Sequence, residues 1–215
     1  MAVKKKRAYQ SPVRQRQADE TRQRIASAAR RLLEEKGYAG MTMEAVAKEA
    51  GVALPTVYAA FGSKSRILTE ILDEARFGDS YLEAVREALA TTDPCEKLKY
   101  AARIARRIYE SEGSVLDLLR GAGVVVPELA RLERERECDR YEAQAKLVDY
   151  LAHSKRLRAD LNRKRAQDIL WMLTSRDVYR MLTSEKGWSP EEFEIWLKRT
   201  LVETLASGAK SAKKE

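Results

Sequence analysis

Thr42, Thr56, Tyr58 and Lys64 bring three hydroxyls and an ammonium into one short segment, TMEAVAKEAGVALPTVYAAFGSK. Hydroxyls donate to phosphate oxygens and a lysine ammonium attracts them, so the chemistry on offer is the holding of a polyanion rather than the making of bonds. The local pattern supplies the elements that would position these groups. Thr42 precedes an apolar run at helical spacing, Met43, Val46, Ala47 and Ala50, so its hydroxyl is placed to cap a first helix, which Gly51 then stops. A second run over 53–61 turns Val57 and Phe61 inward and leaves Leu54, Pro55, Thr56, Tyr58 and Ala59 on or near the outward side. Two short helices across a tight turn fit the helix-turn-helix, whose second helix enters the major groove.

The stretch from Glu20 to Leu72 resembles the DNA-binding domain of the TetR family of bacterial transcriptional regulators. The resemblance rests on Glu35-Lys36-Gly37-Tyr38 at the end of a first helix, Thr42, the turn Ala47-Lys48-Glu49-Ala50-Gly51-Val52, then Thr56-Val57-Tyr58, Phe61 and Lys64, all in order. It implies that Thr42, Thr56, Tyr58 and Lys64 contact backbone phosphates and that Leu54, Pro55 and Ala59 face base edges, with Met43 completing the candidate DNA-contacting set. The chain departs from the family pattern in three places. Ala53 stands where a capping serine or threonine is usual. Pro55 lies in the first turn of the second helix, where a missing amide costs little. Ala60 replaces a ring that often precedes Phe61.

Charge is unevenly spread. Residues 1–18 carry six Lys and Arg and no acid, residues 19–76 carry nine of each sign, and residues 77–215 carry 26 bases against 24 acids, which accounts for the net +8. The excess therefore sits in an N-terminal arm with Lys4, Lys5, Lys6 and Arg7, read as a flexible segment able to reach DNA, since releasing counterions strengthens binding without a fixed structure.

Long stretches of Ala, Leu, Glu, Arg and Lys without alternating runs predict an all-α chain: a three-helix N-terminal DNA-binding domain with a helix-turn-helix, followed by a larger helical effector-binding and dimerisation domain. The expected divisions are the arm over 1–18, the DNA-binding domain over 19–78 with its motif at about 42–61, the larger domain over 79–206, and a basic tail over 207–215. Gly37 is placed to end the first helix and Ser63 to cap a fourth. Beyond them, Asp93-Pro94 starts a helix expected to reach about Ser111, where Gly113-Ser114 breaks it, and 121–126 is expected to be a loop. A helix runs from Pro127 to about His153, with 131–140 as a solvated charged face. Asp160 is expected to cap the next helix and Thr174-Ser175 to interrupt it. Ser189, Pro190 and Glu192 form a capping-box signature for the last.

Trp171, Val178, Leu182, Phe193, Trp196, Leu197 and Leu201 carry more large apolar surface than one hairpin hides. The resemblance implies that this surface packs against a second copy, so a homodimer on a palindromic operator in double-stranded DNA is expected. It also implies a small hydrophobic or amphipathic effector in the larger domain, for which Tyr100, Arg103, Tyr109, Leu116, Leu119, Tyr141 and Trp171 are the candidates, with Arg103, Tyr109, Leu119, Tyr141 and Trp171 foremost. An architectural DNA-binding protein without an effector is the alternative. The one histidine, His153, has no catalytic partner, no Gly-x-Ser-x-Gly, phosphate-binding glycine loop or HExxH occurs, and carboxylates fall at helical surface spacings, so no enzyme is expected. Cys95 and Cys138 have no spacing for a metal or redox pair, so no cofactor or metal is expected. No apolar run nears the roughly 20 residues that span a bilayer, and the basic N-terminus lacks a secretory hydrophobic segment, so no membrane partner and a cytoplasmic location are expected.

Overall fold

The computed structural model describes residues 12–76, 79–124 and 126–207, with side chains described for all of these but 12, 74–76, 79, 80, 112–114, 116, 118, 119 and 122. It is all-α, and two compact units divide at Ile71/Leu72, within the fourth helix. Lys4, Lys5, Lys6 and Arg7 lie outside the described residues.

The N-terminal unit is built from α1 (Pro12–Gly40), α2 (Met43–Ala50), α3 (Leu54–Phe61) and the start of α4 (Lys64–Arg76). Residues 12–18, expected as part of a flexible arm, are the first turns of α1. Gly37 has the positive φ that its position at a helix end demands, 66°, but with ψ at −179° it kinks the chain rather than ending the helix in a left-handed cap. Thr42 Oγ1 accepts from the Ala45 amide at 3.1 Å and caps α2. Gly51 closes α2 at φ 64°, ψ 37°, a left-handed conformation that most side chains resist, and this lets α3 depart at once. No side chain caps α3, as Ala53 requires, and Pro55 occupies its first turn. Ile25, Leu32, Leu33, Met41, Val46, Val57, Phe61, Ile67, Leu68 and Ile71 are buried.

The C-terminal unit contains α5 (Asp79–Ala90), α6 (Pro94–Gly123), α7 (Pro127–His153), α8 (Arg163–Leu173), α9 (Arg176–Arg180), a π-helical turn over Met181–Glu185 and α10 (Pro190–Leu205). The structure differs from the expected reading in four respects. α5 was not expected as a helix, although Ala84, Val85, Ala88 and Leu89 fit one. α6 runs unbroken through Gly113-Ser114 and on to Gly123, because a glycine inside a long helix costs only about 1 kcal/mol against alanine. Asn162, whose side chain accepts from the Arg165 amide at 2.9 Å, caps α8; Asp160 is engaged by Arg158 instead. The face over 131–140 is only partly solvated. Arg131 and Glu135 pair on the surface, but Arg136 reaches Asp73 at 2.8 Å and Arg140 reaches the end of α8.

The core of this unit gathers Leu98, Ala102, Tyr109, Val148, Leu151, Leu170, Phe193, Leu197, Leu201 and Leu205 from α6, α7, α8 and α10. α10 begins in the expected capping box, with Ser189 Oγ accepting from the Glu192 amide at 3.1 Å and the Ser189 amide donating to Glu192 Oε2 at 2.7 Å. Its end is held by one antiparallel bridge between Leu157 and Ala206.

Candidate functional site

The outward surface of the helix-turn-helix takes shape from the way α2 and α3 are pinned. Val57 and Phe61 are buried on the inner face of α3, which turns Pro55, Tyr58 and Ala59 to solvent and leaves Leu54, Thr56 and Ala60 half-exposed. Tyr58 is 47% exposed. Thr42 is exposed at the start of α2; its oxygen accepts the capping bond, so its hydroxyl proton remains available to donate.

Arg22, a residue without a role in the sequence reading, locks the far end of α3. Its Nε and Nη2 donate to Glu70 at 2.7 and 2.8 Å, Nη1 donates to the Ala60 carbonyl at 2.6 Å, and the guanidinium lies 4.3 Å from the Phe61 ring centroid. The bond from Arg22 holds the Glu70 carboxyl below the ordinary range. A planar, bidentate guanidinium does this as a lysine would not. The only sequence signal was an arginine beside the buried face of α1, which resembles any snorkelling surface residue.

The structure brings Thr42, Leu54, Pro55, Thr56, Tyr58 and Ala59 to exposed or half-exposed positions on α2 and α3, but two members of the expected set differ. Met43 is 8% exposed and packs inside with Val46, Ala47 and Ala50, because the first residue after the cap starts the inward stripe of α2, so its side chain is not part of the outward surface. Lys64 is half-buried. Its ammonium donates to the Tyr38 carbonyl and sits 3.7 Å from the Tyr38 ring centroid, and burial pushes its pKa below the usual lysine range. A phosphate at Lys64 would thus meet a cation whose direction is already set by the Gly37 kink and Tyr38.

In the C-terminal unit, a cavity of about 300 Å³ lies among α6, α7, α8 and α9. Tyr109, Trp171, Met172 and Val178 give it apolar walls, and Arg120, Arg136, Arg176, Glu133, Glu137 and Asp177 give it charge of both signs. Beside it, Thr174 ties three helices together. It is 3% exposed, its carbonyl accepts from Tyr109 Oη at 2.8 Å, and its hydroxyl oxygen accepts from Gln144 at 2.7 Å and Arg140 at 3.2 Å. Burial raises the Tyr109 phenol to about 12, so it stays protonated and donating. Of the expected effector residues, Tyr109 and Trp171 line this cavity. Tyr141 stacks edge-on against Trp171 and borders a separate, shallower depression with Cys138. Arg103 lines neither: it is held by Glu87 at 2.7 Å and Glu194 at 3.6 Å. The side chains of Leu116 and Leu119 lie outside the described residues.

The expected dimer surface is partly a monomer core. Phe193, Leu197 and Leu201 are fully buried within the chain, because the stripe they form on α10 faces α6 and α8. Trp171, Val178, Leu182 and Trp196 remain half-exposed, and Met172, Met181 and Ile195 are exposed, Ile195 at 69%. Among the described residues no cluster of His, Cys, Asp and Glu is placed to hold a metal, and no helix is long and apolar enough to cross a membrane.

Comparison with known proteins agrees with the arrangement of the N-terminal unit. Residues 25–71 match the model of the bacterial regulatory proteins, tetR family. The HTH-type transcriptional regulator YdeS of Bacillus subtilis is 29% identical over 156 residues, 70% of this chain and 74% of YdeS. Among solved structures, a transcriptional regulator from Saccharomonospora viridis in complex with choline superposes with a TM-score of 0.69 at 21% identity, over 88% of this chain and 100% of that one. NalD of Pseudomonas aeruginosa, the secondary repressor of the MexAB-OprM multidrug efflux pump, superposes with a TM-score of 0.67 at 21% identity, over 88% of this chain and 98% of NalD. At these identities the structural likeness carries the fold.

Proposed function

We propose, from the match of residues 25–71 to the bacterial regulatory proteins of the tetR family, that this chain is a repressor that binds a palindromic operator as a homodimer and leaves it when a small hydrophobic or amphipathic molecule occupies the C-terminal unit. One observation carries the reading: a rigidly pinned α3 whose outward face presents Leu54, Pro55, Thr56, Tyr58 and Ala59 to solvent, with Thr42 beside it on α2. In this reading Leu54, Pro55 and Ala59 meet base edges, while Thr42, Thr56, Tyr58 and Lys64 hold phosphates. On the same reading the DNA-binding domain extends over 19–78 and the effector-binding and dimerisation domain over 79–206, and the arm at Lys4 to Arg7 adds counterion release.

Replacing a phosphate contact weakens binding to every sequence alike, because phosphates carry no sequence information, and replacing a cationic one also lowers the salt dependence, because fewer counterions are released. Tyr58→Ala and Lys64→Ala are therefore each expected to weaken operator and random DNA in parallel, with the lysine change reducing the slope of log affinity against log salt by about one. Titrations at several salt concentrations measure this. An unchanged slope and affinity for Lys64→Ala would remove Lys64 from the phosphate contacts and leave it as the anchor of Tyr38.

The cavity beside Thr174 is the proposed effector site, with Tyr109 and Trp171 among its walls. An effector displaces the DNA-bound form only through its difference in affinity for the two forms. For the dimer, the last helices, from α8 to α10, still offer a partner exposed Met172, Met181 and Ile195, with half-exposed Trp171, Val178, Leu182 and Trp196. Ile195→Glu would bury an unpaired carboxylate in such an interface, so it is expected to convert the dimer to monomer in sedimentation at micromolar concentration. A variant that sediments as the wild type does would move the interface away from α10.

A further inference from the structure

α3 lacks every side chain that makes a bidentate or charge-assisted contact with a base edge. Arg or Lys reads guanine, Asn or Gln reads adenine, and Asp or Glu accepts from cytosine. The helix is Leu-Pro-Thr-Val-Tyr-Ala-Ala-Phe and contains none of them. The guanidinium at its far end is committed elsewhere, with Arg22 spread over Glu70, the Ala60 carbonyl and the Phe61 ring. What the exposed face offers a base pair is Pro55 and Ala59, flanked by half-exposed Leu54 and the methyl and hydroxyl of Thr56.

We propose that this chain selects its operator through thymine C5-methyl groups. This rests on α3 being the element that enters the major groove. The thymine methyl is the one apolar feature on a major-groove edge, so it is the feature that Leu54, Pro55 and Ala59 can bury against. The same residues act against the alternative. A G·C pair facing them would have its N7, O6 and N4 groups stripped of water with no hydrogen bond returned. Selection therefore runs toward A·T pairs with the thymine turned to α3, at mirrored positions in the two half-sites. Sequence-dependent groove shape adds to it at pairs the helix does not touch.

The experiment uses the full chain and the duplex recovered by selection from random DNA. Each thymine is replaced in turn by deoxyuridine, which removes the methyl and leaves pairing and the minor groove unchanged, and each guanine by 7-deazaguanine, which removes the N7 acceptor. Loss of about fourfold in affinity per methyl at two or more symmetric positions is expected, the worth of one buried methyl-sized group, with no comparable loss at any guanine. Affinity unchanged by deoxyuridine at every position overturns the inference while leaving a sequence-specific regulator in place. Recovery of no shared duplex at all overturns both this inference and the operator reading beneath it.

Discussion

Phe61→Ala is expected to unfold the N-terminal unit and abolish DNA binding while the C-terminal unit stays folded. Phe61 is the last residue of α3, 2% exposed, with its ring against the Arg22 guanidinium. Truncating a buried phenylalanine to alanine costs about 3–5 kcal/mol through lost burial and the cavity left behind. Whole domains are commonly stable by only about 5–15 kcal/mol, and a unit of this size sits toward the low end. The damage also spreads, since Arg22 loses the ring it lies over and α3 loses the anchor that aims Tyr58 and Ala59 outward. Two probes separate the units. Trp171, Trp188 and Trp196 all lie beyond Leu72, so tryptophan fluorescence reports the C-terminal unit and far-ultraviolet circular dichroism reports both. In urea, the variant should show an early dichroism transition with an unmoved fluorescence transition. Equal movement of both would mean that the two units unfold as one.

Phe193→Ala is expected to have the complementary effect. Phe193 is fully buried, its ring centroid 4.9 Å from that of Tyr179 and 6.0 Å from that of Trp196. The cost is again about 3–5 kcal/mol, now borne by the core that joins α6, α8 and α10. The fluorescence transition should move to lower urea by the same amount at every protein concentration. A residue that served mainly to bind a second copy would instead give a shift that grows on dilution, because dimer stability depends on concentration. A concentration-dependent shift with an intact monomer would return Phe193 to the interface.

The difference between these residues and the exposed Ile195 shows what the sequence could not resolve. α10 presents large apolar groups on more than one side, and periodicity alone does not say which side a neighbouring helix covers; packing against α6 and α8 decides it. Met43 is a simpler case. Its place one residue after the Thr42 cap already put it on the inward stripe, and burial settles that this placement outweighs its nearness to the exposed hydroxyl. The helix-turn-helix itself was legible because its determinants are local: a capping threonine, a left-handed glycine, and inward residues at helical spacing. The capping box at Ser189 was legible for the same reason. The roles of Arg22, Arg140 and Thr174 were not, since the groups they tie together lie tens of residues away in the chain and nothing in their own surroundings marks them. Asn162 displaced Asp160 as a cap because Arg158 claims the aspartate, a competition visible only once the loop is closed.

On the proposed function, the exposed face of α3 reads the operator, once in each half-site. Parallel selection from random DNA with the wild-type chain and with Ala59→Arg tests this. The wild type should yield one near-palindromic site preferred at least ~1,000-fold over random DNA at physiological salt. The variant should yield the same site changed to guanine at one position in each half, because an arginine there supplies the bidentate guanine contact that α3 lacks. An identical site from both proteins would show that some surface other than α3 reads the DNA.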